Sequence, residues 1–388
     1  MDNWRSQQYR QNGIRLNVPK SVLDHAVSIG KSIQAVNPAL PPIFTLRHFA
    51  HEADVPYVFL RSVIGRSTMV EPYRVFTLQK KAVGFNSARF RHICAPHPLL
   101  LKAQRWIHDR ILKLGNFHEA SRAYLPDSRI GEIAQVHCKA RWLVKLDVTN
   151  FFEAIHEPQV YEVFRKFGYQ PLIAFELARL CTRLRKRKNP ARISRKRYPK
   201  IRQYAASRYV GHLPQGAPTS PLLANLASYW LDEDLSKLAE DMGVRYTRYA
   251  DDITFSTENK LFTRTQAVEL VHASYRVLRE HHLWPNVAKT HIVSPSSRKV
   301  VLGLLVDGKT PRLTKEFKDR LRMHIHFLRH PEIGPAAHAS KRGFDSALGL
   351  QRHLLGMAAF AIGIEEEWGR ARMSEIKAVD WPGMGRNS

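Results

Sequence analysis

Apolar positions along the 388-residue chain change their period several times, and each change marks an element. Residues 1 to about 20 are polar and read as loose chain. From Val22 to Arg66, apolar residues recur at helical spacing between breaks at Pro38, Pro41, Pro42 and Pro56, which predicts short helices. The piece TLRHFAHEADVPYVFLRSVIGR reads as two of them, turning Leu46, Phe49 and Ala50, then Val58, Leu60 and Val63, inward. A helix-turn-helix DNA reader and a plain structural helix pair both fit that pattern, and the structural pair is the commoner device. YRVFTL and ARFRHICA alternate and predict paired strands. A helix follows Pro98. RWLVKLD is a short buried strand ending on Asp147, and VTNFFEAI turns into a helix. SPLLANLASYWLDEDLSKLAE predicts one helix with Ser220 as N-cap and Pro221 in its first turn. VRYTRYADDITFST reads as strand, turn, strand, and TRTQAVELVHASYRVLREHHL as helix. RKVVLGLLVDGKTPRLT predicts a hairpin turning at Asp307-Gly308. From Thr314 the chain is helical to its end, interrupted around Pro331 to Pro335. There is no repeat, and no linker long enough to separate independent domains.

Composition narrows the class. Hydrophobic residues make up 44% of the chain, enough for a substantial core, which excludes disorder of the whole. Lys plus Arg number 61 against 34 Asp plus Glu, a formal charge of +27 that folding does not require. It implies a polyanionic partner, nucleic acid first and an acidic membrane surface second. Cys94, Cys138 and Cys181 lie far apart with no Cys-x-x-Cys pair, which argues against a disulfide framework or structural zinc and suits a reducing compartment. The N-terminus lacks the apolar stretch of a secretory signal, and Leu354 to Ile364 is too short to span a bilayer. The expectation is a soluble cytoplasmic protein with no membrane partner.

Three aspartates carry the candidate chemistry. Asp147 ends an apolar strand, and Asp251-Asp252 sit at a hairpin tip in Tyr249-Ala250-Asp251-Asp252. Clustered carboxylates repel one another unless a cation neutralises them, and hard divalent cations prefer oxygen ligands. Two such ions could stabilise the attacking and leaving oxygens of a phosphoryl transfer. Taken alone, the dipeptide reads better as an ordinary turn, because Asp favours turns; the surrounding motifs reverse that preference. Leu177 to Leu231 contains no Asp or Glu, and Arg183 to Arg208 holds twelve Lys or Arg interleaved with Tyr198, Tyr204 and Tyr209. Without alternating acids, phosphate contact reads better than a solvated face. Candidate RNA contacts are Arg183, Arg185, Lys186, Arg187, Lys188, Arg192, Arg195, Lys196 and Arg197, with tyrosines available for stacking on unpaired bases. Leu213-Pro-Gln-Gly-Ala-Pro-Thr-Ser-Pro221 is either a plain loop-to-helix junction or a rigid turn that lets a flat base approach the backbone. Gly303 to Thr310 satisfies the Walker A pattern but continues as strand rather than opening a helix, so a phosphate loop is rejected. The nineteen histidines show no zinc spacing.

In order along the chain, these segments resemble a reverse transcriptase of the bacterial retron and group II intron group. The resemblance covers about Tyr73 to Leu313 and rests on LVKLDVTNFF, LPQGAPTSPLLANL and YADDITFS, in that order. YRVFTLQKK with RHICAP resembles the fingers segment that holds the incoming triphosphate, and NVAKTHIV with VVLGLLV the later palm motifs. The resemblance implies an α+β right-hand polymerase: an N-terminal helical region (1–70), fingers (71–140), a palm with an antiparallel sheet (141–313) carrying a basic insertion at 183–208, and a helical thumb with a C-terminal tail (314–388). By position, Asp147, Asp251, Asp252 and the Val148 backbone would hold two Mg²⁺ ions. Val148 would also offer backbone to the triphosphate, and Phe152 would be the steric gate that selects dNTPs. Gln215 and Gly216 would lie beside the nucleotide. Lys80 and Arg91 would contact the triphosphate, with Lys81 and Arg89 competing, and Lys289 fits the late palm lysine. A thumb helix would place Phe317, Leu321, Ile325 and Leu328 on one face, either as a packed helix with a solvated basic side or with that side on a duplex. Within the group the retron type fits best. That type implies a cognate structured noncoding RNA, a multicopy single-stranded DNA product and a role in anti-phage defence with a separate effector protein. Ile133-Ala-Gln-Val-His137 departs from the retron Asn-Ala-x-x-His pattern, thought to be involved in recognising the cognate RNA, and Val301-Leu302-Gly303 from Val-Thr-Gly. The competing readings are a group II intron-like or other host-adapted reverse transcriptase, and a noncatalytic RNA-binding scaffold of the same fold.

Overall fold

A computed structural model describes residues 4–67, 70–79, 90–184 and 210–382, with the main chain alone at Gln79, Phe90 and Arg91. The chain opens with α1 (Ser6–Arg15) and α2 (Lys20–Val36). Residues expected to be loose are therefore largely helical. The cause is tertiary: buried Gly13 lies against Leu23, and Gly30 leaves room for the Trp4 ring. Then come α3 (Leu46–Glu52), capped by Thr45, and α4 (Tyr57–Ile64). Leu46, Phe49, Ala50, Leu60 and Val63 are buried as expected, but Val58 is 74% exposed. It stands two residues before Leu60, about 200° around the helix from it, and so faces away from the core.

The hairpin of β1 (Tyr73–Gln79) and β2 (Phe90–Pro96) pairs Tyr73 with Pro96 through Gln79 with Phe90. It is followed by α5 (Pro98–Arg110) and α6 (Ile130–Val136). Next are β3 (Trp142–Asp147), the single turn α7 (Phe151–Ala154), α8 (Glu157–Lys166) and α9 (Pro171–Cys181). The segment expected as one helix from Ser220 is two, α10 (Ser220–Ala227) and α11 (Tyr229–Asp241). They meet at Ser228, whose N–H is shared between the Ala224 and Asn225 carbonyls. Nor is Ser220 the N-cap. Thr219 holds that position, and Ser220 Oγ donates instead to the Pro214 carbonyl at 2.7 Å.

The central sheet is formed by β3, β4 (Arg245–Tyr249), β5 (Asp252–Thr257) and β6 (His291–Val293), in the order β4-β5-β3-β6 with every pair antiparallel. Between β5 and β6 runs α12 (Arg264–Glu280), opened by a Thr263–Gln266 capping box. One continuous core joins the N-terminal helices to this sheet and to α8, α9, α11 and α12.

A second sheet of three short strands follows, β7 (Val300–Val301), β8 (Leu304–Leu305) and β9 (Arg312–Leu313). Asp307-Gly308 lies in the β8–β9 connection, as expected, and a further tight turn at Leu302-Gly303 joins β7 to β8. Leu302 and Gly303 both have positive φ, 49° and 82°, the requirement of a two-residue turn that Gly303 meets without strain. Asp307 accepts the Lys299 N–H at 3.1 Å. The element that follows Lys309-Thr310 is strand β9, not a helix, in keeping with the rejected phosphate loop.

The C-terminal helices α13 (Lys315–Arg329), α14 (Gly334–Lys341), α15 (Ala347–Ile362) and α16 (Glu366–Lys377) bury a core of their own. Leu321, Leu350 and Leu354 are fully buried there, each contributing about 2 kcal/mol. Phe317 is partly buried on the same face, as its spacing predicts. Among the described residues, no helix is long and apolar enough to cross a membrane.

Candidate active site

The register of the central sheet sets the site. β3 and β5 pair so that Asp147 stands directly across from Asp252. The β4–β5 turn passes through Ala250, a non-glycine residue in the left-handed region at φ 56°, and delivers Asp251 beside the pair. The Val148 N–H donates to the Asp251 carbonyl at 3.0 Å, which stitches the end of β3 to that turn. Three carboxylates from two distant segments thus share one sheet edge.

Their electrostatics follow from this crowding. Asp252 is half-buried, and its carboxyl is pushed above the usual range, first by burial and then by Asp251, with Asp147 adding to the effect and Lys145 and Lys289 opposing it. Asp147 is buried and held from one side: Lys289 Nζ lies 2.5 Å from Oδ2, and Asn286 Nδ2 donates to Oδ1 at 2.8 Å. The Asn286 N–H also donates to the Asp147 carbonyl at 2.7 Å. Among the described residues, no group of three His, Cys, Asp or Glu is closed up as a metal site; the Asp147 carboxylate is turned to its lysine and asparagine. The donor chemistry nevertheless fits a hard divalent cation. All the candidate ligands are oxygens, and a cation would relieve the repulsion that raises Asp252.

A cleft of about 700 Å³ opens over this edge. It gathers Asp147, Val148, Phe152, Gln215, Gly216, Asp251 and Lys289, residues that come from four separate stretches of sequence. Asp252 stands behind the lining, in register with Asp147. Phe152 is half-buried and meets Phe151 edge-on at 5.7 Å. The Gln215-Gly216 turn is fastened to β2: the Cys94 N–H donates to the Gln215 carbonyl at 2.7 Å. Gly216 has φ 109°, and a Cβ there would lie 3.1 Å from the Cys94 carbonyl oxygen, so only glycine suits this approach. The β1–β2 hairpin and the loop before α10 thereby form one wall.

Ile93, Tyr124 and Asn286 also line the cleft and are absent from the sequence-derived set. The Asn-x-x-Lys spacing from Asn286 to Lys289, one short turn placing both on Asp147, is the signal that could have found Asn286. Tyr124 has positive φ and presents its ring between Phe152 and Tyr249, with centroids 6.4 and 6.0 Å away. No local pattern marks it.

Other predicted residues fall elsewhere. Arg183 turns inward, its Nη1 donating to Cys94 Sγ at 3.0 Å, while its backbone pairs reciprocally with His212. Lys80 and the competing Lys81 and Arg89 lie outside the described residues, as does the Arg91 side chain. The same holds for Arg185, Lys186, Arg187, Lys188, Arg192, Arg195, Lys196 and Arg197. His137, the last residue of the departing Ile-Ala-Gln-Val-His segment, is fully buried against the sheet. Its ring nitrogens are each 2.7 Å from a hydroxyl, Ser256 on β5 and Thr247 on β4, and burial pushes it down to about 3. It therefore braces the β4–β5 hairpin as a neutral ring.

Comparison with known proteins agrees with this geometry. The family described as reverse transcriptase (RNA-dependent DNA polymerase) matches residues 78–318, well over half of the chain. Curated relatives include the Retron Ec86 reverse transcriptase of Escherichia coli, 28% identical over 292 residues, covering 75% of this chain and 80% of that protein. The Retron Mx162 reverse transcriptase of Myxococcus xanthus is 28% identical over 299 residues, covering 75% and 58%. The Retron Ec48 reverse transcriptase of Escherichia coli is 31% identical over 198 residues, covering 50% and 41%. The chain thus spans four fifths of the first and under three fifths of the other two. Among solved structures, a foamy viral protease–reverse transcriptase in complex with double-stranded DNA superposes with a TM-score of 0.40, at 15% identity over 80% of this chain and 44% of that one, too loosely to weigh on the assignment. With the Asp147, Gln215 and Asp251-Asp252 segments in family order and brought together around one cleft, the chain belongs to the reverse transcriptase family, with a right-hand polymerase fold and the chemistry of an RNA-directed DNA polymerase.

Proposed function

We propose that this chain is a retron-type reverse transcriptase that binds a cognate structured noncoding RNA and copies part of it into multicopy single-stranded DNA. The observation that carries the reading is the pairing of Asp147 with Asp252 across β3 and β5, with Asp251 in the adjoining turn at the cleft. The three curated relatives described above, each named as a retron reverse transcriptase, support the subfamily. In this reading residues 1–70 form an N-terminal helical region, 71–140 the fingers, 141–313 the palm and 314–388 the thumb and tail. The separate C-terminal core supports the last boundary.

Asp147, Asp251, Asp252 and the Val148 carbonyl would hold two Mg²⁺ ions. When bound, such ions neutralise charge on the transferring phosphoryl group and stabilise the attacking and leaving oxygens. The chain supplies positioning. Phe152, which lines the cleft, would exclude a ribose 2′-OH and so favour dNTPs. Gln215 and Gly216 hold the nucleotide against β2. Lys289, half-exposed beside Asp147, offers a positive charge to phosphate. The basic run from Arg185 to Arg208 would take the noncoding RNA by its phosphates. Priming would come from an internal guanosine 2′-OH, leaving DNA joined to RNA by a 2′-5′ branch. We place this activity in the cytoplasm, in anti-phage defence alongside a separate effector protein.

Purified protein supplied with template, primer, dNTPs and Mg²⁺ should extend DNA, and Asp251→Asn/Asp252→Asn should abolish extension. Survival of synthesis in that variant would refute the site. Nucleic acid copurified with the wild type should contain a branched RNA–DNA hybrid; a spliced intron instead would reassign the subfamily to the group II intron type.

A further inference from the structure

Two residues before Ala250, Arg248 is the largest fully buried side chain among the described residues. Its guanidinium is saturated. Nε donates to Asp232 Oδ1 at 2.7 Å, and Nη2 to Asp232 Oδ2 at 2.5 Å and Ser121 Oγ at 2.9 Å. Nη1 donates to Asn225 Oδ1 at 3.2 Å and to the Ala250 carbonyl at 3.1 Å. All five N–H donors of the fork are thereby used. Tyr246 steadies Asp232 with a 2.7 Å hydrogen bond, and the Phe151 ring lies 5.5 Å from the guanidinium carbon. The backbone is clamped as well: Arg248 N–H donates to the Ala120 carbonyl, and Arg122 N–H donates to the Arg248 carbonyl.

Stability alone does not call for this arrangement, because apolar residues of similar volume often replace a buried ion pair without loss. The distribution of acceptors suggests a different purpose. Asp232 belongs to α11, Asn225 to α10 and Ser121 to the loop before α6, all rigid scaffold. The remaining acceptor, Ala250, is the left-handed residue that turns the chain into Asp251. That conformation is unfavourable for a non-glycine residue and needs holding.

We propose that Arg248 is a positioning residue: it ties the Ala250 carbonyl to the frame of Asp232, Asn225 and Ser121, and so keeps Asp251 and Asp252 aimed at Asp147. The proposal rests on the reading of the three aspartates as the metal-binding set.

The test compares full-length variants in primer extension. Arg248→Lys keeps the charge but loses the fork. It should lower kcat by about thirtyfold to a hundredfold, the usual effect of displacing catalytic groups by an ångström, with KM for dNTP moved by less than about threefold. Arg248→Lys/Ala250→Gly should regain at least about fivefold of the lost kcat, because glycine adopts the left-handed turn without help. A folded Arg248→Lys with wild-type kcat, a loss confined to KM, or a loss that Ala250→Gly does not restore would each overturn the proposal. Should Arg248→Lys fail to fold, Asn225→Ser takes over the test. It removes the acceptor that shares Nη1 with Ala250 together with the Asn225 Nδ2 bond to the Ala123 carbonyl, and because glycine at 250 relieves only the turn, a loss of kcat rescued by Ala250→Gly is expected, while an unchanged kcat or an unrescued loss overturns. Wild-type extension abolished by Asp251→Asn/Asp252→Asn keeps the metal-site reading separate: if that variant stays active, the site reading fails, whatever Arg248 does.

Discussion

Replacing Lys289 with Met tests how the site is held before metal arrives. Lys289 Nζ lies 2.5 Å from Asp147 Oδ2, with the carboxylate 8% and the lysine 45% exposed. Two unit charges at that distance attract by about 7 kcal/mol at an effective dielectric of 20. The lysine is nearly half in solvent, so screening and regained hydration reduce the net interaction to about 1 kcal/mol. A divalent cation reaching Asp147 must displace that ammonium. Lys289→Met should therefore lower the metal concentration for half-maximal extension by about fivefold. Asn286 still holds Oδ1, so the carboxylate keeps its orientation. The same change removes a cation from the nucleotide side and should raise KM for dNTP. The assay is primer extension titrated with Mg²⁺ at saturating dNTP, together with Mn²⁺ binding to the protein alone by electron paramagnetic resonance. Lys289→Arg, which keeps the competing charge, should behave as wild type in metal binding. A metal requirement in Lys289→Met that is unchanged or raised would refute the competition.

Phe152→Val should open the cleft beside the sugar and reduce discrimination against rNTPs by about tenfold to a hundredfold, read as the ratio of kcat/KM for dNTP and rNTP; an unchanged ratio would remove Phe152 from the gate. Asp252 gives a pH signature. Burial, then Asp251, holds its folded-state pKa above the ordinary value, so the stability it contributes is present at low pH and lost as pH rises through the raised value. Asp252→Asn without metal should therefore melt above wild type at neutral pH, the two converging below about pH 4, while extension is abolished; equal melting at neutral pH would contradict the assignment. Glutamine at Arg185, Lys186, Arg187 and Lys188 should flatten the dependence of RNA affinity on salt, by about 0.7 in log–log slope for each single-strand phosphate that is no longer neutralised, and an unaltered slope would take these residues off the RNA.

What the sequence made legible was local and periodic. A short apolar run marked β3 and a strand–turn–strand pattern marked β4 and β5, with Asp147 and Asp251-Asp252 at their ends, and the antiparallel register then sets Asp147 opposite Asp252. The Walker-like segment could be rejected by the same means. What stayed hidden depends on distant partners. Asp-Gly marked the β8–β9 connection, but the additional turn at Leu302-Gly303, which needs a leucine at positive φ, carried no local signal. A polar N-terminal stretch becomes α1 through distant partners, with Gly13 against Leu23 and the Tyr9 ring against Phe44. Arg248 is the clearest case. By pattern it is one more cation in a basic chain, since its acceptors lie at positions 121, 225, 232 and 250. The two kinds of information divide the site between them. Local periodicity brings the carboxylates to one sheet edge, where their repulsion would drive them apart. Non-local contacts, Lys289 and Asn286 on Asp147 and Arg248 on Ala250, decide how far apart they stand. A polymerase site of like charges needs both. A homologous sequence that keeps the aspartates but lacks a residue able to anchor residue 250 should accordingly carry glycine there.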